Sequence, residues 1–467
     1  MEVGTAVDTI RDNLKDGFLD AVTADELREN TNTLQNLSPE DTNEAISQLS
    51  DADLEKWTDE LHESTRFDVF GTGGLSIDER SQLYTDLARD LNPTQLERFY
   101  HALGDENRQS EFIDSVATHA TNTNKVELIA RLADQTTDGT SRLDVFFGGS
   151  STARWDQDAR AVSTLIGSLS GASSVEQAIG SLSDSQLESV LRAGTQPSAS
   201  TFAMGHASST SYSFDTSGLT AVVNAVATTG DANLKARVFE LAARQIDDIR
   251  STDSVLAPNT TADDRAGEVA DALANLLESD TVGIITSLER GDGLLSSRTG
   301  NGLSSYTAEL IRQGDLDTVR ETVAKLQAGN DLNGDPATYL ASSTTDEHGN
   351  RDFQNASNLG FFVGSVREGI GAIQSDADEQ AATLNTIFGV AFGLGGLGIP
   401  SGQVASKAAL VIAKPLTAAL VESVTGDLAN GHTNLGDAIE QLALPADVYS
   451  SDVTGPFGDA IDAVVRN

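Results

Sequence analysis

The sequence predicts an all-α protein, with tandem helical units followed by a hydrophobic helical domain that contains a buried hairpin. Three observations carry that expectation. Apolar residues return three or four positions apart through most of the chain, strand-like alternation is short and scarce, and only 9 prolines interrupt 467 residues. A hydrophobic share of 39% with 5% aromatic residues favours helices packed through Ala, Leu, Val and Ile. The length exceeds one ordinary core, so several packed units are expected: an N-terminal helical region with a partial repeat over 1–90, two related helical units over 91–300, a helix and polar linker over 301–358, and a hydrophobic domain over 359–467.

Near the amino terminus, residues Met1 to Asp8 lack a basic leader and an apolar run, so no signal peptide of the usual secretory kind is expected. The strongest internal pattern is repetition. Ser115-Val116-Ala117-Thr118 with Asn124-Lys125 and Leu132-Ala133 returns as Ala225-Val226-Ala227-Thr228 with Leu234-Lys235 and Leu241-Ala242. Gln95-Leu96-Glu97 and Gln186-Leu187-Glu188 each start a helix after a polar lead, Asn92-Pro93-Thr94 in one and Ser183-Asp184-Ser185 in the other, and each lead offers an N-cap. A glycine loop follows Arg66-Phe67-Asp68-Val69-Phe70 and again Arg142-Leu143-Asp144-Val145-Phe146. After these loops, Asp78-Glu79-Arg80, Asp158-Ala159-Arg160 and Asp264-Arg265-Ala266 are expected to open further helices.

Within the helices, Phe112, Ile113, Val116, Val126, Ile129, Ala130 and Ala133 form stripes that need a partner, as do Val223, Val226, Val238, Leu241 and Ala242. Residues 195–218 are rich in Ser, Thr and Gly, which fits a long loop or a small hairpin. Helical pattern resumes from Leu303 to Leu326, and Gly329 to Pro336 breaks it. The most apolar helices run from Leu359 to Ile373, Ile387 to Ile399 and Ala408 to Val421, the last two separated by Pro400-Ser401-Gly402.

Charge narrows the functional classes. Lys plus Arg is 30 and Asp plus Glu is 71, a formal net charge of −41 that repels phosphate backbones and anionic lipid heads. Nucleic acid is therefore excluded as an expected partner. With no cysteine, thiolate catalysis and Cys-based metal centres are absent too. Lysine is scarce beside arginine and aspartate, a balance that fits equally a salty or calcium-rich setting in which cations screen self-repulsion and a merely acidic, soluble protein.

The chemical motifs are few. Asp331, Asn333 and Asp335 have the spacing of the first oxygen ligands of an EF-hand-like loop, which makes calcium the one cofactor considered. Pro336 stands where that loop needs glycine, and Ser342 where it needs a bidentate glutamate, so a capped helix end competes with the metal site. Gly393 to Gly398 matches GxGxxG, but no strand–helix alternation surrounds it. Asp346, Glu347, His348 and Asp352 cluster in a polar linker, and the six histidines have no zinc spacing. No catalytic motif is found, and a non-enzymatic role is expected.

The apolar hairpin has two readings. Ile387, Phe388, Gly389 and Gly393 on one arm and Leu410, Val411 and Ile412 on the other belong to arms of roughly 14 to 18 apolar residues, near the lower limit for crossing a bilayer. Gly389 and Gly393 allow close helix contact in lipid or in a protein core. Ordinary core is the first reading and membrane insertion the second.

The leads LSPEDT and LNPTQLERF, the pair SVATHATNTNKVELIARLA, the break GNDLNGDPATYL and the helix NLGFFVGSVREGIGAI resemble helical, non-catalytic regions of large bacterial exported toxin- and effector-like proteins. That resemblance implies export by a leaderless route, with the protein cytoplasmic beforehand, and a carrier or docking body that engages a protein partner or secretion machinery. No active-site residue carries over from it. The expected function is a non-enzymatic, secreted, effector-like protein presenting a helical interaction surface; the alternative is a pore former or translocator using 387–421.

Overall fold

Helix starts in this chain are written by short polar caps, and the same caps recur in the same order. Thr23 and Ser76 each open a helix with a capping box, accepting the backbone N–H of Glu26 and Glu79 while those carboxylates reach back. Ser38 and Asn92 cap helices whose first residue is proline. The computed structural model describes residues 2–15, 22–62, 74–136, 150–193, 195, 197–204, 207–214, 216–256, 262–291, 301–345, 349–388, 418–444 and 451–465. Among them lie 23 helices and two two-stranded sheets, so the protein is all-α as expected. It divides into two compact units, 1–194 and 195–467, a boundary that falls inside the 91–300 region.

The first unit contains α1 (Val3–Asn13), α2 (Ala24–Gln35), α3 (Pro39–Gln48), α4 (Asp51–His62), α5 (Ile77–Asp90), α6 (Pro93–Ala102), α7 (Glu106–His119), α8 (Asn122–Asp134), α9 (Ser150–Gly167), α10 (Ala172–Ser181) and α11 (Asp184–Ala193). Helices about fifty positions apart are bonded to each other. Arg28 of α2 donates to Glu79 of α5, 51 positions on, at 2.7 Å, and Arg108 of α7 donates to Asp59 of α4, 49 positions back, at 2.6 Å. Arg98 of α6 reaches the carbonyls of Ile46 and Leu49 at 3.1 and 3.0 Å and so caps the carboxyl end of α3. It also donates to Gln95 Oε1 at 3.1 Å and to Asp51 at 2.7 Å, the latter in the first turn of α4. A core of Trp57, Tyr84, Phe99 and Phe112 in edge-on and tilted contacts fills the space these bonds enclose.

The second unit begins with the hairpin β1 (Pro197–Met204) and β2 (Ala207–Phe214), the small-hairpin form of the two expected for that stretch. It continues with α12 (Ser217–Ala227), α13 (Ala232–Leu256), α14 (Ala262–Ser279), α15 (Thr281–Arg290), α16 (Asn301–Gln313), α17 (Leu316–Ala328), α18 (Pro336–Leu340), the two-residue strands β3 (Thr344–Thr345) and β4 (Arg351–Asp352), α19 (Gln354–Ile373), α20 (Ala377–Phe388), α21 (Ala418–Ala429), α22 (Leu435–Ala443) and α23 (Ser451–Val465). Helix α19 is central. Leu359 to Val366 are buried without a break, and the backbone of α23 comes so close that a Cβ on Gly360 would stand 2.2 Å from the Phe457 carbonyl oxygen. Only glycine fits there.

Matching residues of the repeated sequence pair are buried. Val116, Lys125, Leu128, Ile129, Leu132 and Ala133 are buried in α7–α8, and Val226, Lys235, Val238, Phe239, Ala242 and Ala243 are buried in α12–α13. Lys125 donates to the carbonyls of Ala117 and Ser168, tying the end of α7 to the end of α9. Two details differ from expectation. Ala130 is half-buried rather than part of the covered stripe, and Asp158 lies midway along α9 rather than opening a helix, because that helix already begins at Ser150. The glycine loops 66–73 and 142–149 lie outside the described residues.

Candidate functional site

The densest set of buried charge in the second unit lies between α13, α14 and α16. Each contributes a mostly apolar face interrupted by charged or polar side chains. On α16, Glu309 follows the fully buried Leu303 and Tyr306, and its own side chain has no solvent exposure. A carboxylate there must be satisfied by protein donors. Arg250 Nε donates to Oε2 at 2.9 Å and Arg250 Nη2 to Oε1 at 2.5 Å, while Arg312 Nη1 adds 2.7 Å to Oε2 and Gln313 Nε2 adds 2.8 Å to Oε1. Four donors fill the four lone-pair directions of Glu309. Arg250 also donates to Asp263 in the first turn of α14, so one guanidinium joins three helices.

Nearly three turns earlier on α13, Glu240 is likewise fully buried. Its Oε1 accepts from Arg244 Nη2 at 2.9 Å and from the Gly302 backbone N–H at 3.1 Å, which makes it the acceptor for the first turn of α16. Burial pushes this carboxyl above its ordinary range, and the Gly302 and Arg244 contacts pull the other way. Ser305 donates to Asp247 at 2.6 Å between the two. The arrangement fixes helix register. A saturated Glu309 has no lone pair left to accept a substrate proton, and Glu240 gives Oε1 to a helix end while its buried Oε2 has no hydrogen-bond partner among the described residues.

In the first unit, His62 closes α4 and its Nε2 lies 2.6 Å from the Tyr84 hydroxyl. Burial lowers this histidine to about 4, with Arg80 and Arg108 adding repulsion, and burial raises the tyrosine above its ordinary value. Glu79 is held down at about 2 by Arg28 and by the Ser76 hydroxyl. These groups are partners in helix packing.

Asp335 caps α18, accepting the Thr338 backbone N–H at 3.1 Å and its hydroxyl at 2.9 Å, while Asp331 and Asn333 are exposed. Between them Leu332 adopts a left-handed φ of 55° and packs against Ala324. Among the described residues no group of three or more His, Cys, Asp or Glu side chains could hold a metal ion. Asp346, Glu347 and His348 lie outside the described residues, and Asp352 sits 3.6 Å from Arg290.

Of the insertion candidates, Ile387 and Phe388 end α20 and are buried. Gly389, Gly393, Leu410, Val411 and Ile412, with the GxGxxG stretch, lie outside the described residues. Among the described residues no helix is long and apolar enough to cross a membrane.

Sequence reasoning missed the α13–α14–α16 network. The available signal was a charged residue at a position its own stripe marks as covered: Glu240 between Phe239 and Leu241, and Glu309 before Leu310. Compared with protein families, curated proteins and solved structures, the chain finds no match.

Proposed function

We propose that this chain is a non-enzymatic, exported, effector-like protein whose exposed acidic helix faces dock a basic protein surface. The observation that carries the reading is the two-sidedness of α14. Ala266, Val269, Ala270, Leu273, Leu276 and Leu277 are buried on one side, while Asp264, Glu268, Asp271 and Glu278 are exposed on the other. Charges that face inward are engaged in joining helices, and those that face outward add to a net charge of −41. Such a surface steers a cationic partner and repels an anionic one. The effector-like part of the reading rests on the resemblance of the helix pairs and on nothing chemical.

The test is a photo-crosslinking residue placed at Asn275, an exposed position on the same face. In producing cells and their medium, the expected product is a discrete adduct with a protein of basic surface, weakened by added salt. Absence of any adduct, together with turnover of substrates in a hydrolase screen, would contradict the reading.

A further inference from the structure

We propose that the β1–β2 ribbon is an edge-pairing surface through which two copies of this chain associate, β2 against β2. This does not depend on the docking role of the helix faces. The strands run antiparallel in unbroken register from Pro197↔Phe214 to Met204↔Ala207, and the sheet stops at two strands. In such a ladder alternate residues of each strand direct their backbone N–H and C=O groups away from the partner strand, which leaves two open edges. Among the described residues neither strand has a helix as an extensive packing neighbour. An isolated hairpin is marginally stable, and further strands stabilise it.

Charge selects the occupant. From Pro197 to Phe214 there is no Asp, Glu, Lys or Arg, in a chain of which 22% is charged. Edges that remain solitary are usually guarded by charges, prolines or bulges, and this stretch has only Pro197, at the start of β1. Two copies, each with a net charge of −41, repel one another over most of their surface. The ribbon is an 18-residue stretch over which they approach without opposing like charges. A basic strand finds no acidic residue there to pair with, so the preference of the helix faces does not extend to it. Pro197 deprives the β1 edge of one N–H donor, which leaves β2 as the complete edge. Antiparallel pairing of identical β2 edges creates a two-fold interface, the commonest closed symmetry of protein assemblies.

Sedimentation velocity of the intact chain from 1 to 100 μM, in 0.1 M and 2 M NaCl, tests the proposal. A dimer is expected whose dissociation constant falls at least about tenfold at the higher salt, as screening removes the repulsion. Thr201 and Thr210 are register partners, so Thr201→Asp and Thr210→Asp burden the hairpin itself alike. Thr210→Asp is expected to weaken the dimer by about tenfold or more, while Thr201→Asp and Thr210→Val leave it within about threefold, with helical circular dichroism unchanged in all three. A chain that stays monomeric under both salts, a dimer indifferent to Thr210→Asp, or equal loss from both aspartates would overturn the proposal.

Discussion

Arg250 and Glu309, 59 positions apart in the chain, form a bidentate ion pair whose carboxylate has no solvent exposure. Neither residue has a sequence neighbour that would announce the other. Removing Arg250 leaves the buried Glu309 with only Arg312 and Gln313 as donors, and removing Glu309 leaves Arg250 with Asp263 alone, at a cost of up to about 3–5 kcal/mol, whereas replacing both with apolar groups of similar volume is often near neutral. Urea unfolding of Arg250→Met, Glu309→Leu and the double variant is expected to show a double variant more stable than either single one. Strictly additive losses would refute the coupling.

Gly360 tests the packing of α19 against α23. An added Cβ meets the Phe457 carbonyl, so the helices must separate or bend, and Gly360→Ala is expected to lower stability by about 1–3 kcal/mol. Gly371, on the same helix with open space at its Cβ, is the control. Gly371→Ala is expected to be neutral or stabilising by up to about 1 kcal/mol. Equal effects in thermal unfolding would contradict the close approach.

His62 gives a pH signature. In the unfolded chain an imidazole takes up a proton near 6.5, while the native one stays neutral down to about 4 because burial, Arg80 and Arg108 disfavour its charge. The unfolded state binds more protons between those values. The contribution is therefore complete above pH 6.5 and lost as pH falls towards 4. Relative to His62→Gln, the native sequence should lose on the order of 1 kcal/mol between pH 7 and 4.5, the half-buried ring being partly screened by solvent. A constant difference across that range would refute the assignment.

Salt should act on the whole chain. With 71 acidic and 30 basic side chains, screening relieves repulsion that opposes the compact state. The melting temperature is expected to rise by about 5–10 °C between 0.1 M and 2 M NaCl. No rise would contradict a destabilising net repulsion.

Legibility in the sequence followed the range of the signal. The stripes of α7, α8, α12 and α13 were readable because Val116, Leu128, Val226 and Val238 recur at helical spacing, and the starts of α6 and α11 because Asn92 and Ser183 are good caps. The network of Glu240, Arg250 and Glu309 was not, since a charge on an apolar face looks like an exception until its partner, more than fifty residues away, is placed beside it. The recurrence of caps about fifty positions apart was obscured for a related reason. Thr23 and Ser76, or Ser38 and Asn92, perform the same capping role with different side chains, so matching residues missed a match in function. At Asp331 and Asn333 ligand spacing gives no more than a pattern, since both side chains are exposed and Asp335 caps α18.

The central claim is that inward charges hold the helices while outward charges meet the partner. Its most direct measurement compares Asp271→Lys/Glu278→Lys with Glu309→Gln, following urea stability and the crosslinked adduct together. The surface pair is expected to keep stability within about 1 kcal/mol and lose the adduct, and the buried variant to lose about 3–5 kcal/mol while its folded fraction still forms the adduct. The reverse pattern, with the adduct surviving surface reversal and vanishing from folded Glu309→Gln, would contradict it.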